Sequence, residues 1–305
     1  PRDIPPAIAV LDPKRPDCYY SFKELAGVGV AYQLIQALAE AQQVRGLCSI
    51  DPEQFLDLVA LGTVADIVPL TEENRSLAHW GLRRMRESPR IGLLKLMEKA
   101  SVQPEQVDGE AIGFRLGPRI NAAGRLEHAR LAYRLLMTSS EKEAEELAEQ
   151  LHQINQERQQ LLDQQCRHAR ELVNGHEDGP ALIVDDPTFH EGIVGLIASR
   201  LTESFYRPTL VMRKGEKVTR GSARSIEGFH ITRALDHCAD LLSRYGGHAV
   251  FFSDTATTEN LPAFRERLAS ECTQRRRVHA LHRRLRTDLL VPTTAPLETM
   301  PPRWD

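Results

Sequence analysis

Cysteine is scarce in this chain of 305 residues, and what there is does not form a metal-binding pattern. The five cysteines (Cys18, Cys48, Cys166, Cys238 and Cys272) make no Cys-x-x-Cys pair and are odd in number. That argues against a zinc ribbon or a closed disulfide framework and points to a reduced, cytoplasmic compartment. Long apolar runs are also missing. No stretch approaches the ~20 residues of a membrane span, and no signal peptide opens the sequence. Aromatic residues make up only 6%, and the formal net charge is only −3. No global positive field advertises nucleic acid, so any positive surface has to be local. Arginines do gather, at residues 115–130, 200–224 and 275–286, the last of which reads equally well as a solvated helix.

What is present describes an ordinary globular chain, 41% hydrophobic and 27% charged. Its length gives a prior of two domains. It begins at Pro1 rather than at methionine and soon enters an apolar run, as a piece of a longer protein would. That run, residues 7–11, ends at Asp12-Pro13 and predicts a buried parallel strand. Residues 22–29, Phe-Lys-Glu-Leu-Ala-Gly-Val-Gly, lead into a helix to about residue 43, with Val30, Leu34 and Leu38 on one face. Its two glycines read better as close packing than as a phosphate loop, there being no Walker lysine. Asp51-Pro52 opens another helix, which leads to Leu-Gly-Thr-Val-Ala-Asp-Ile-Val-Pro-Leu at residues 61–70. Asp66 stands there among apolar neighbours, which predicts a buried carboxylate that must be hydrogen-bonded, paired or metal-bound. A helix-end cap and a metal ligand fit that position equally. Helices are expected at about 73–86, 91–99 and 109–116.

Residues 113–126 contain three glycines and a proline and carry Arg115, Arg119, Asn121 and Arg125. They read as a loop in which Arg119, Asn121 and Arg125 meet a phosphate chain, against the alternative of a plain interhelical connection. Residues 140–173 are the clearest helix. Ser140-Glu-Lys-Glu143 spells a capping box, and Ala144, Leu147, Leu151, Ile154, Leu161 and Leu172 mark its seam. At 1.5 Å per residue it would run roughly 50 Å, long enough to link two domains. Beyond it the pattern alternates strand and helix, with strands near 181–184, 209–212 and 217–224 and helices near 192–204 and 231–242. His190 and Glu191 fall at a helix start, where His190 is as well placed to cap as to face a site.

Residues 218–248 hold the most chemistry. A strand ending at Arg224 would present Ser222 and Arg224 on one face with Arg220 beside them, a guanidinium fork next to a hydroxyl that suits phosphate. Gly246-Gly247 would offer free backbone amides to an anion, with His248 as a further donor. Each half alone reads as well as a helix stop or a solvated strand; together they favour a phosphate cradle.

Five stretches taken in order (61–70, 117–126, 190–195, 221–225 and 246–248) resemble the RecJ single-stranded-DNA exonucleases of the DHH phosphoesterase superfamily. The resemblance implies an α/β fold. Residues 1–138 would be the C-terminal portion of the catalytic DHH domain, 139–175 a connecting helix, 176–275 a DHH-associated substrate-binding domain and 276–305 an irregular tail. It further implies hydrolysis of phosphodiester bonds from the 5′ end of single-stranded DNA, in repair and recombination, with two manganese or magnesium ions. By position, Asp66 matches a metal-binding aspartate and His248 a catalytic phosphate contact. Arg125, Ser222 and Arg224 match the pocket for the terminal 5′ phosphate. Single-strand-binding protein and a helicase are the implied partners. The family's Asp-x-Asp and Asp-His-His motifs are absent here, which leaves one expected metal ligand and predicts no competent nuclease from this stretch alone. Residues 250–258 depart from the family's strand, and the sequence past 283 turns proline-rich; a reading-frame error would account for both. A strand-binding module without catalysis, and an oligoribonuclease or cyclic-dinucleotide phosphodiesterase of the same superfamily, are the competing readings.

Overall fold

The computed structural model describes residues 5–47, 50–175, 179–247 and 251–278, the side chains of 244–257 and 275–278 excepted. Backbone contacts divide the chain into two units, Pro1–Gln164 and Gln165–Asp305.

Among its described residues the first unit is helical. It holds α1 (Gly27–Val44), α2 (Leu56–Ala65), α3 (Glu72–Glu87), α4 (Ile91–Lys99), a π-helical turn (Ala111–Leu116), α5 (Gly117–Leu126), α6 (Arg130–Met137) and the first part of α7 (Glu141–Val173). Leu93, Leu96, Met97, Ile112, Leu116, Leu135 and Leu151 fill its core with no exposed surface. Two glycines allow the closest helix contacts. A Cβ at Gly81 would fall 2.2 Å from the Leu56 carbonyl oxygen, and one at Gly92 1.8 Å from that of Leu135.

Several expectations need correction here. Residues 7–11 form no strand, and Ile8 and Leu11 are exposed. A parallel strand exists only in a ladder with a neighbour, and the described part of this unit contains no other strand. Residues 113–126 are helical rather than a loop. Pro118 follows directly on the π-helical turn within one unbroken helical run, 109–126, and the altered hydrogen-bond register of that turn accommodates the ring. Gly117 keeps helical angles while letting α5 approach Ala65.

The long helix α7 spans 33 residues, close to its expected limits. Only half of its capping box forms. The Ser140 hydroxyl accepts from the Glu143 N–H at 3.3 Å, but the Glu143 carboxylate binds Arg134 and the Thr138 hydroxyl instead of reaching back. Further along, the buried face moves to Asn155, Leu162, Cys166, Ala169 and Val173, leaving Leu172 exposed. A 3.6-residue helix drifts away from a 3.5-residue seam over this length.

The second unit is built on a five-stranded mixed sheet in the order β1-β2-β3-β5-β4. β1 (Leu182–Asp186) runs parallel to β2 (Thr209–Arg213). β3 (Val218–Arg224), β5 (Phe251–Thr257) and β4 (Leu242–Gly247) pair antiparallel. Leu210, Met212 and Ala223 pack one sheet face on α9 (Ile231–Asp236) and α10 (Leu261–Val278), through Ile231, Leu235, Phe264 and Leu268. α8 (Val194–Phe205) comes against β2 and β3. The helix expected over 231–242 stops at Asp236, because Leu242 already enters the β4 ladder opposite Ala256. Gly246 and Gly247 are corrected as well. They close β4 opposite Ser253 and Phe252 and make no anion-binding turn. The segment 250–258, which departs from the family pattern, supplies β5 through residues 251–257. His248 and the residues beyond 278 lie outside the described residues.

Candidate functional site

The second unit gathers its chemistry where β1 gives way to α8. On β3, Thr219, Gly221 and Ala223 are buried while Arg220, Ser222 and Arg224 alternate with them, so these three share a face. The first turn of α8 meets that face. A Cβ on Gly195 would fall 2.7 Å from Arg224 Nη2 and 3.1 Å from Ser222 Oγ, so glycine makes room for both side chains. Arg224 is held on three sides. Its Nε donates to Ser199 Oγ at 3.1 Å, and its Nη1 donates to Ser222 Oγ at 2.8 Å and to the Ala223 carbonyl at 2.8 Å. Ser199 in turn donates to the Gly195 carbonyl at 3.0 Å, which ties the guanidinium to the helix. The amides of Val194 and Gly195 lie in the first turn, where N–H groups have no intrahelical acceptor and the helix dipole favours an anion. Hydroxyls, guanidinium and helix terminus together make a phosphate-shaped donor set.

The turn feeding α8 is fixed from below. Phe189 and Ile193 are buried. Gln165 of α7 donates to the Thr188 carbonyl at 2.8 Å and accepts the His190 N–H at 3.0 Å. His190 Nδ1 accepts the Gly192 N–H at 3.1 Å, so its ring closes the turn. Glu191 bridges Arg213 Nη1 at 2.7 Å and Arg220 Nη1 at 2.9 Å. The Arg220 hydrogen bond holds the Glu191 carboxyl below its ordinary range against the opposing effect of burial, and Arg213 adds to it.

The first unit places its candidates less favourably. Asp66 is the C-cap residue of α2 and is exposed, which corrects the expected burial. The backbone turns at Ile67 (φ 58°) and sends Ile67 and Leu70 outward, so the flanking apolar residues do not cover the carboxylate. Asp66 and Asn121 line one cavity of about 600 Å³, together with Gly27, Gly62 and Gly117. Arg119 does not join them. Its Nε donates to His152 Nδ1 at 3.2 Å and its Nη1 to the Arg115 carbonyl at 2.6 Å, which ties it to α7 and to its own helix. Arg125 is partly buried, and that burial lowers its pKa. Among the described residues no three His, Cys, Asp or Glu side chains come together as a metal site. Asp66 alone does not fit a two-metal centre, which needs several oxygen donors.

The sequence pattern missed Gly195, Ser199 and the bridging role of Glu191. Gly195 lies within the 190–195 stretch, but nothing local showed what its missing Cβ makes room for.

Comparison with known proteins places the chain beside one family. Residues 178–274 match the model of the DHHA1 domain family. The second unit therefore carries the DHH-associated domain of the DHH phosphoesterases. The chain is 41% identical over 269 residues to the single-stranded-DNA-specific exonuclease RecJ of Bacillus subtilis, covering 87% of this chain and 33% of that protein. It is 34% identical over 293 residues to the protein of the same name from Escherichia coli, covering 89% and 50%. Among solved structures it resembles RecJ of Thermus thermophilus in complex with Mg2+, with a TM-score of 0.74 and 34% identity over 85% of this chain and 39% of that one. It also resembles an exonuclease RecJ bound to manganese, with a TM-score of 0.68 over 84% and 63%. This is a RecJ-type chain, and it spans from one third to one half the length of those two sequence relatives. No described helix is long and apolar enough to cross a membrane.

Proposed function

We propose that the second unit grips the 5′-phosphorylated end of single-stranded DNA, with Ser222, Arg224 and the first turn of α8 as the phosphate cradle. The observation that carries this reading is the guanidinium of Arg224, fixed by Ser199 and Ser222 beside Gly195. Arg125 of the first unit belongs to the same reading by its place in the motif, as does Asn121 beside Asp66. The whole protein would then be a 5′→3′ exonuclease of DNA repair and recombination, acting in the cytoplasm with single-strand-binding protein and a helicase. Residues 1–138 would be the C-terminal portion of its catalytic domain, 139–175 the connecting helix and 176–275 the substrate-binding domain. Relatives solved with Mg2+ or Mn2+ support a divalent ion as the cofactor of that activity. Asp66 is the only metal-ligand candidate in the described residues, so hydrolysis is not assigned to this stretch alone.

The test is binding. Fluorescence anisotropy with 5′-phosphorylated and 5′-hydroxyl oligothymidylate should show preference for the phosphorylated strand, lost in Arg224→Ala. Equal affinity of the unsubstituted chain for both strands would overturn the proposal. A second reading rests on the same Ser222–Arg224 cradle, a module that binds strand ends without cleaving them. Release of nucleotides by this chain in manganese would refute it.

A further inference from the structure

Arg213 and Arg220 face each other across the β2–β3 ladder, on the sheet face that also carries Ser222 and Arg224. Both are exposed, with 48% and 61% of their side-chain surface open, and each gives one Nη1 hydrogen bond to a different oxygen of Glu191. A guanidinium has five N–H donors, so these bonds leave most of each fork available to a ligand. Two such cations would repel each other across a ladder; the carboxylate between them removes that cost and fixes their forks side by side. We infer that Arg213 and Arg220, positioned by Glu191, form a second phosphate subsite that takes an internal phosphodiester of the strand whose 5′ end lies at Arg224.

Spacing and charge support the assignment. Arg220 and Arg224 are four residues apart on β3, roughly 13 Å, which is too far for one phosphate to bridge. A strand anchored at Arg224 therefore has to run along β3 to reach Arg220. The Arg213–Glu191–Arg220 group carries a net charge of +1, which matches a monoanionic phosphodiester. A terminal phosphate monoester carries about −1.5 to −2 and suits the helix terminus with Arg224 better. The inference rests on the proposal that Arg224 holds the 5′ phosphate, and the experiment separates the two.

The whole chain is titrated with three oligothymidylates: a 5′-phosphorylated strand, the same strand with neutral methylphosphonates at its first and second linkages, and a 5′-hydroxyl strand. The methylphosphonate strand should bind about tenfold more weakly than the native one, as loss of one charge-assisted contact implies. In Arg213→Ala/Arg220→Ala, both substitutions at exposed positions, that difference should vanish while preference for 5′-phosphate over 5′-hydroxyl persists. Equal binding of native and methylphosphonate strands by the unsubstituted chain would overturn the second subsite and leave the terminal cradle standing. A double variant that still discriminates between them would place the subsite elsewhere. Absence of any 5′-phosphate preference would instead remove the proposal on which it rests.

Discussion

Gly195 is where one missing atom decides most. Glycine in a helix normally costs up to about 1 kcal/mol relative to alanine, so Gly195→Ala should leave α8 as stable or slightly more so. The new Cβ would nevertheless fall 2.7 Å from Arg224 Nη2 and 3.1 Å from Ser222 Oγ, displacing side-chain ends rather than backbone. The expected outcome is an unchanged or raised melting temperature with roughly tenfold weaker binding of 5′-phosphorylated strands, corresponding to one displaced charge-assisted contact. Unchanged affinity would mean that the guanidinium does not touch the ligand. A purely structural residue behaves differently. Asp57 is wholly buried, with Arg90 Nε 2.8 Å from one of its oxygens. Arg90→Ala strands that carboxylate, and urea titration should show a loss of about 3–5 kcal/mol. At Asp186 burial pushes the carboxyl up, but the Thr188 hydroxyl and amide and then His168 outweigh it and hold it below its ordinary 3.8. A depressed carboxyl contributes stability above its unfolded value and loses that contribution as pH falls through the folded one. The melting temperature should therefore drop less steeply below about pH 4 in Asp186→Asn than in the parent chain.

At the scale of elements, local pattern and structure agree where one period runs without interruption. The alternation of β3 was readable, and so was which of its residues share a face. α4 forms over the very residues expected of it, and α7 nearly so. Disagreement comes where a rule needs a partner from elsewhere. The apolar run at 7–11 has strand chemistry but no ladder among the described residues. The 113–126 segment has loop composition, but a π-helical turn just before Pro118 accommodates the proline, and Gly117 and Ala122-Ala123 allow tight packing. Gly246-Gly247 looked like a turn until β5 provided the strand against which it pairs. The N-terminus of α7 yields a measurable consequence. Because the Ser140 hydroxyl caps the Glu143 N–H, Ser140→Ala should cost about 1 kcal/mol in denaturant unfolding, as lost caps do. No change at all would show that Thr138 and Glu143 hold the helix start without it.

For the molecule as a whole, a net charge of −3 leaves little non-specific attraction for nucleic acid. Binding must come from a few phosphate contacts, and its salt dependence should be shallow. For single strands the slope of log affinity against log salt is about −0.7 per phosphate, so two or three contacts predict a value between about −1.4 and −2.1. A much steeper slope would mean a longer track than the sheet face offers. By itself the sequence determined the helix periods, the face of β3 that bears Ser222 and Arg224, and the motifs that resemble RecJ, because each is a matter of spacing along one segment. Only the tertiary structure decided that Ser199 and Gly195 hold Arg224, that Glu191 joins Arg213 to Arg220, and that Asp66 opens to solvent. The side-chain contacts among these span 22 to 29 residues, and packing between elements, not any local pattern, sets which side chains meet over such separations.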